Sequence, residues 1–278
     1  MTAASAEAAA AAPGVGSLDG RVVVITGASA GIGAATAELV ARRGGRPVLA
    51  ARGAEALASV ASRCGGTPLF VVADVTRRAD VQQLLDRALG HHGRVDVWIN
   101  NAGRGITRLV SELTDADLDE MMAVNVKSVL YGMQAVLPHF RERGRGHIIN
   151  VSSVLGRLPT APFRSAYSAA KHAVNGLTAN LRMELRESAP GLVVSAVHPG
   201  IVATEFGLNA RHGGPDSRVL PGAQPVEEVA QVIVDLILTP RADVYTRPGL
   251  RELVGAYFSA CEDLDSVETG PPFVTRPR

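Results

Sequence analysis

The chain has little cysteine, no surplus of either charge and no long apolar run, and each shortage removes a class of protein. Two cysteines in 278 residues, Cys64 and Cys261, cannot frame a disulfide scaffold and lack the paired spacing of a metal site. They fit a reducing cytoplasm, where each serves as a small apolar side chain. Lys and Arg number 28 against 27 Asp and Glu, so a formal net charge of +1 provides no field to gather nucleic acid or an anionic membrane. The cluster of Arg141, Arg143, Arg145 and His147 is short enough to be a solvated loop. No stretch reaches the ~18 unbroken apolar residues of a membrane span, and neither end carries a lipidation motif. Of the 7 histidines none pairs at ligand spacing, and the adjacent His91 and His92 point to different sides of a helix, so no metal is expected.

What is present suits one large soluble domain: 46% of residues are hydrophobic and 20% charged. Residues 1–17 are alanine-rich, carry Glu7 but no Lys or Arg, and run into Pro13 and Gly14, which predicts a disordered leader without the basic start of a secretory signal. The domain is expected over 18–260, with 261–278 as a C-terminal tail.

Arg21 to Thr26 is a continuous β-branched run, the pattern of a parallel strand buried on both faces. Gly27, Ala28, Ser29, Ala30, Gly31, Ile32 and Gly33 follow at once, and Ala34 to Arg43 has helix formers with apolar positions on one side. Strand, glycine turn and helix permit backbone N–H groups and a positive helix end to meet a pyrophosphate, although a plain structural turn has the same composition. The alternation continues with strands at Arg46 to Ala51, Pro68 to Val72 and Val95 to Asn100, separated by helices near Ala54 to Arg63 and Arg78 to His91. A long helix is predicted from about Asp117 to Phe140, then strands at His147 to Val151 and Val193 to Val197, a helix after Pro225 and an edge strand at Asp243 to Tyr245. This order predicts an α/β fold, a single doubly wound parallel sheet of Rossmann type with helices on both faces.

Tyr167 and Lys171 stand four residues apart and so share one face of a helix. An ammonium beside a phenol favours the phenolate, which would bring Tyr167 toward proton exchange at neutral pH, although a solvated surface pair has the same spacing. Strand ends are where such sheets place ligands, and several here carry polar signals. At the end of the second strand an acid that would accept from an adenosine ribose is missing: Ala51 stands there, and Arg52 follows. Charge-assisted bonds from Arg52 to a 2′-phosphate, each about 1.5 to 3 kcal/mol, would favour NADP(H) over NAD(H) roughly tenfold to a hundredfold, unless Arg52 is only a surface arginine. Asp74 after the third strand can accept from an adenine amino group or cap the next turn.

Taken together, Thr26 to Gly33, Asn100-Asn101-Ala102-Gly103, Asn125, Ser152-Ser153, Tyr167-Ser-Ala-Ala-Lys171 and Pro199-Gly200 resemble the short-chain dehydrogenase/reductase family in order and spacing over Leu18 to Thr204. The resemblance implies hydride transfer between a nicotinamide cofactor and a carbonyl or alcohol. It assigns Tyr167 as proton donor, Ser153 as a second hydrogen bond to the carbonyl oxygen, and Lys171 as the group that lowers the Tyr167 pKa and holds the nicotinamide ribose. Asn125 would anchor a water chain. Cofactor contacts are implied for Gly27, Ser29, Ala30, Gly31, Ile32 and Gly33, for Arg52, Asp74 and Val75, and for Asn101, Ala102 and Gly103. Pro199, Gly200, Val202 and Thr204 would clamp the carboxamide. Two departures stand out: Ala30 occupies a position often basic in NADP-preferring relatives, and the stretch from Ser153 to Tyr167 is slightly longer than the family pattern.

Residues 205–225 lose periodicity and contain Gly207, Gly213, Gly214, Pro215 and Pro221, which predicts a mobile loop over the substrate. Phe206 and Leu208, with Leu155, Leu158 and Phe163, point to a mostly hydrophobic ketone, aldehyde or secondary alcohol. The residues from Gly249 onward would add a helix over that pocket or a neighbour. By the resemblance, pairing of the helices bearing Asn125 and Tyr167 between subunits implies a homodimer or homotetramer. A protein that binds NADP(H) as a sensor or scaffold without turnover is the competing reading, and a lyase or epimerase on the same sheet is a third.

Overall fold

The computed structural model describes residues 17–268 and 270. The expected leader therefore lies outside the described residues apart from Ser17. Seven strands form one parallel sheet: β1 Val22–Thr26, β2 Arg46–Ala51, β3 Phe70–Val72, β4 Val97–Asn100, β5 Gly146–Val151, β6 Leu192–His198 and β7 Asp243–Tyr245. Their order is β3-β2-β1-β4-β5-β6-β7. The winding reverses between β1 and β4, the crevice where such sheets receive ligands.

Both faces of the sheet are covered, which is why β1 is apolar throughout. Val23 and Ile25 join the core under helices α1 Gly31–Arg42, α2 Ala54–Cys64 and α7 Val226–Leu238. Val22 and Val24 join the core under α3 Arg78–His92, α5 Ser128–Arg143 and α6 Ser165–Ser188. The period of two is complete within five residues. The helix expected after Pro225 turns an apolar stripe inward: Val229, Ala230, Ile233, Val234 and Ile237 are buried in the first core. Each fully buried Val or Ile side chain of this stripe stabilises the fold by about 1.5 to 3 kcal/mol.

Several predicted boundaries move, each for a local reason. Helix α1 starts at Gly31 rather than Ala34, because the last glycines of the turn already have their amides in the first helical turn. Pairing of β4 begins at Val97 rather than Val95, because Asp96 is spent on pins: its Oδ2 accepts from Val22 N at 2.8 Å and it bridges Arg94 and Arg143. β3 is short, since Pro68 has no N–H to give the ladder.

The long helix expected from Asp117 to Phe140 is α4 Asp115–Met122, one π-helical turn at Ala123–Lys127, and then α5. A capping box at Thr114 and Asp117 starts α4 two residues early. The wide turn puts Asn125 out of the regular ladder, and π turns of this kind collect at functional sites. After β7 come α8 Pro248–Ala260 and α9 Leu264–Glu268.

Candidate active site

The glycine turn is locked to the strand beside it before any ligand is considered. Thr26 Oγ1 accepts from Asn101 N at 3.0 Å and from Ala102 N at 3.1 Å, and Asn101 Nδ2 donates to Thr26 O at 2.9 Å. Gly27 has φ of 67°, and a Cβ there would stand 2.8 Å from the Ala102 Cα. Only glycine fits this junction. Helix α1 then begins at Gly31 behind an Ala30 N-cap that offers no side-chain bond, so the first amides of the helix are left without a side-chain acceptor beside a small-residue turn. That is the donor set of a phosphate site, and the residues present fit a dinucleotide pyrophosphate.

The other cofactor candidates gather at the same edge of the sheet. A Cβ on Gly31 would lie 3.3 Å from Thr204 Cγ2, which puts the Pro199 to Thr204 segment across from the turn. Pro199 O accepts from Val154 N at 2.9 Å, and Gln224 ties the segment down through Ile201 and Ala203. Val202 is buried and pairs with Gln224. Arg52 is exposed at the end of β2. Asp74 is held by Thr76, whose N and Oγ1 donate to Oδ1 at 2.9 and 2.7 Å. Burial would raise this carboxyl, but the Thr76 bonds and the charges of Arg52 and Arg77 hold it below the usual range. Asp74 thus caps its own turn and feels Arg52. Val75 beside it is half-buried.

Asn125, Ser153, Tyr167 and Lys171 are all buried, with 0%, 7%, 8% and 3% of their surface exposed. The π turn aims Asn125 at the loop after β4: its Nδ2 donates to Arg104 O at 3.0 Å and its Oδ1 accepts from Arg104 N at 3.1 Å. A Cβ on Gly103 would meet Asn125 Oδ1 at 2.8 Å and Lys171 Nζ at 3.7 Å, so these two side chains converge there. Lys171 Nζ donates to Val151 O at 2.8 Å and lies 5.6 Å from the centre of the Tyr167 ring. Ser153 Oγ accepts from Leu155 N at 3.1 Å, and its carbonyl is approached by His198 Nδ1 at 3.4 Å. His198 is held in turn by Asp243 at 2.9 Å, so the end of β6 steadies the serine.

The electrostatics correct one expectation. Lys171 is not what sets the Tyr167 phenol. Burial pushes that phenol up to about 12, opposed by hydrogen bonding from Ser153 and by the charge of Arg164. Lys171 is itself desolvated, which pushes it down to about 8, and its ammonium is turned to a carbonyl. Arg164, three residues before Tyr167, is the neighbour that sequence reasoning passed over. Its one available signal was an arginine next to the start of the Tyr167 helix.

The apolar pocket candidates separate. Leu155 and Phe206 pack with Ile106, Met121, Ala166 and Tyr167, and the Phe206 ring stands edge-on to Tyr167 at 5.4 Å between centres. Leu158 lies in a different cluster, beneath α8 with Val254 and Ala260. Phe163 and Leu208 are 40% and 46% exposed. Residues 205–225 are tied by charge: Arg211 bonds Asp117 and Glu120, and His212 Nε2 meets Asp117 Oδ1 at 2.7 Å. Among the described residues no group of three or more His, Cys, Asp or Glu side chains could hold a metal ion.

A glycine turn at the switch point of a parallel sheet, facing a buried Tyr and Lys one strand further on, defines a nucleotide-dependent oxidoreductase. The chain belongs to the short-chain dehydrogenase family, whose model matches residues 21–213. It is 33% identical over 255 residues to the uncharacterized oxidoreductase YxnA of Bacillus subtilis, covering 88% of this chain and 71% of that one. Among solved structures, a short-chain dehydrogenase/reductase from Burkholderia phymatum in complex with NAD is 29% identical, with a TM-score of 0.81 over 94% of this chain and 98% of that one. An alcohol dehydrogenase from the archaeon Thermococcus sibiricus complexed with 5-hydroxy-NADP is 28% identical, with a TM-score of 0.71 over 81% and 95%. The protein is an NAD(P)-dependent dehydrogenase/reductase acting between CH–OH and C=O groups.

Proposed function

We propose that the protein reduces a mostly apolar ketone or aldehyde, or oxidises the matching secondary alcohol, with NADP(H) preferred over NAD(H). One observation carries the reading: the buried convergence of Asn125, Ser153, Tyr167 and Lys171 beside the uncapped start of α1. When bound, the nicotinamide supplies or takes the hydride. Tyr167 holds the proton for the carbonyl oxygen, and its high phenol pKa keeps that proton in place until an oxyanion develops beside it. Ser153 Oγ is held at the same place to donate a second hydrogen bond. Lys171 holds the ribose hydroxyls, and Asn125 keeps the Arg104 loop fixed and anchors the water chain that leads protons out.

The first helical turn of α1 would take the pyrophosphate, from Gly27 and Ser29 through Ala30, Gly31, Ile32 and Gly33. Arg52 would take the 2′-phosphate in the absence of an acid at Ala51, while Asp74 and Val75 would border the adenine. Asn101, Ala102 and Gly103 would lie against the ribose, and Pro199, Gly200, Val202 and Thr204 against the carboxamide. Leu155 and Phe206 support an apolar substrate wall, whereas Leu158 is packed beneath α8 and Phe163 and Leu208 are exposed. Exposed Leu118 on α4 and Met183 on α6 support pairing of these helices in a dimer or tetramer, which light scattering checks. The two thiols fit a cytoplasmic setting.

Oxidation of NADPH and NADH across a panel of hydrophobic ketones and aldehydes tests the reading. Turnover with NADPH favoured is expected. Tight NADPH binding with silence across the panel would shift the reading to a sensor that binds without turnover.

A further inference from the structure

Arg164 is 93% removed from solvent by its fold position, with 7% of its surface exposed, yet no carboxylate lies within 4.0 Å of it among the described residues. A guanidinium has five N–H donors. Here one of them is used: Nη1 donates to Ile106 O at 3.2 Å, and the group otherwise rests 5.5 Å over the Phe163 ring. Its Nε and Nη2 make no hydrogen bond among the described residues and are not among the enclosed side-chain atoms without a partner, so these donors stay reachable while the rest of the side chain is buried. Its surroundings say which ligand. A Cβ on Gly105 would be 2.9 Å from Arg164 Nη1 and also 2.9 Å from Phe206 Cε1, the ring that stands against Tyr167. A Cβ on Gly214 would be 3.2 Å from Nη2. The two ends of the fork therefore lie against the backbones of two glycines, beside the Phe206 ring that stands against Tyr167. The other basic groups nearby are already matched: Arg211 and His212 on Asp117, Arg104 on Glu120.

We infer that Arg164 binds an anionic group of the substrate, so that the substrate class is an oxoacid, or the corresponding hydroxyacid, with an apolar body against Phe206 and Leu155. The planar fork matches a carboxylate in two parallel bonds, which a lysine in its place would not reproduce. The carboxylate is unchanged in the reaction. The carbonyl gains a hydride from the reduced nicotinamide and a proton from Tyr167 to become CH–OH, and the nicotinamide leaves oxidised. This assignment rests on the oxidoreductase reading for its chemistry but can be tested without turnover.

Calorimetric titration of hexanoate and hexanamide into the full chain saturated with NADP+ is the test. Hexanoate is expected to bind at least tenfold more tightly than hexanamide, a preference that Arg164→Gln removes and Arg164→Lys keeps only in part. Equal binding of the two probes by the wild type overturns the inference, as does a preference that survives in Arg164→Gln. Because the wild-type comparison decides on its own, a variant that fails to fold does not rescue the idea. Rates with 3-oxohexanoate and its methyl ester separate the two readings. Turnover of both at equal kcat/KM overturns the anion assignment and leaves the reductase standing. A hexanoate preference with neither compound reduced supports the anion site and counts against the reductase.

Discussion

The glycine-turn side of the site and the side formed by residues 205–225 are made from opposite materials. The first is backbone, small residues and short polar side chains: Thr26, Asn101 and Gly27 lock one turn to the next through bonds of 2.9 to 3.2 Å. The second is long charged side chains reaching across the fold, with Arg104, Arg211 and His212 on the Asp117 and Glu120 carboxylates of α4. A close-packed turn accepts one shape and tolerates no added atom. A charge-tied loop can change its side chains and keep its place, which suits the part of a dehydrogenase that chooses among substrates.

That contrast breaks most sharply at Gly27. Gly27→Ala adds a Cβ against Ala102 in a left-handed backbone, so nicotinamide dinucleotide affinity should fall more than tenfold and Tm should drop, as measured by titration and thermal unfolding. Unchanged affinity would mean that the turn does not meet the ligand. On the other side, Asp117→Asn leaves Arg211 and His212 without their buried anion. Tm should fall and residues 205–225 should exchange amide hydrogens faster, while dinucleotide affinity changes less than twofold. Equal loss of affinity in both variants would erase the distinction between the two sides.

The sides should also titrate apart. Lys171 has its pKa lowered from 10.5 to about 8 by burial, so the unfolded chain binds the extra proton and stability rises as pH goes from 8 to 10.5, by roughly 3 kcal/mol. Lys171→Met should flatten that rise in denaturant titrations. Asp117 is held well below the usual carboxylate range by His212 and Arg211, against the cost of burial. Its contribution is therefore present at neutral pH and lost as pH falls below about 4, and Asp117→Asn should remove this acid-side loss. Nucleotide choice is a separate readout. Ala51→Asp with Arg52→Ala should swing the ratio of kcat/KM for NADPH over NADH by roughly tenfold to a hundredfold toward NADH. An unchanged ratio would place the phosphate elsewhere.

The same contrast explains which features are legible in the sequence alone. Strand β1, the glycine turn and α1 are contiguous, and their burial and backbone demands are written in neighbouring residues, so the doubly wound sheet was legible there. Tyr167 and Lys171 were legible because a helix fixes their spacing. Arg164 was not, because its meaning depends on Ile106, Gly105 and Gly214, which approach only after β4 and residues 205–225 are in place. The split of the long helix at Asn125 was hidden for the same reason: nothing local marks a π turn, and the hydrogen bonds that use it go to Arg104. The pull of Lys171 on Tyr167 was misjudged since spacing shows proximity and not burial, which dominates both groups.

The measurement closest to the centre of this account is steady-state reduction by Tyr167→Phe, made alongside a dinucleotide titration of the same variant. The phenol is the one proton source assigned to the carbonyl oxygen, so kcat should fall by about a hundredfold to ten-thousandfold with dinucleotide affinity unchanged. Near-normal kcat in the variant would contradict the account, because the proton would then come from a group other than Tyr167.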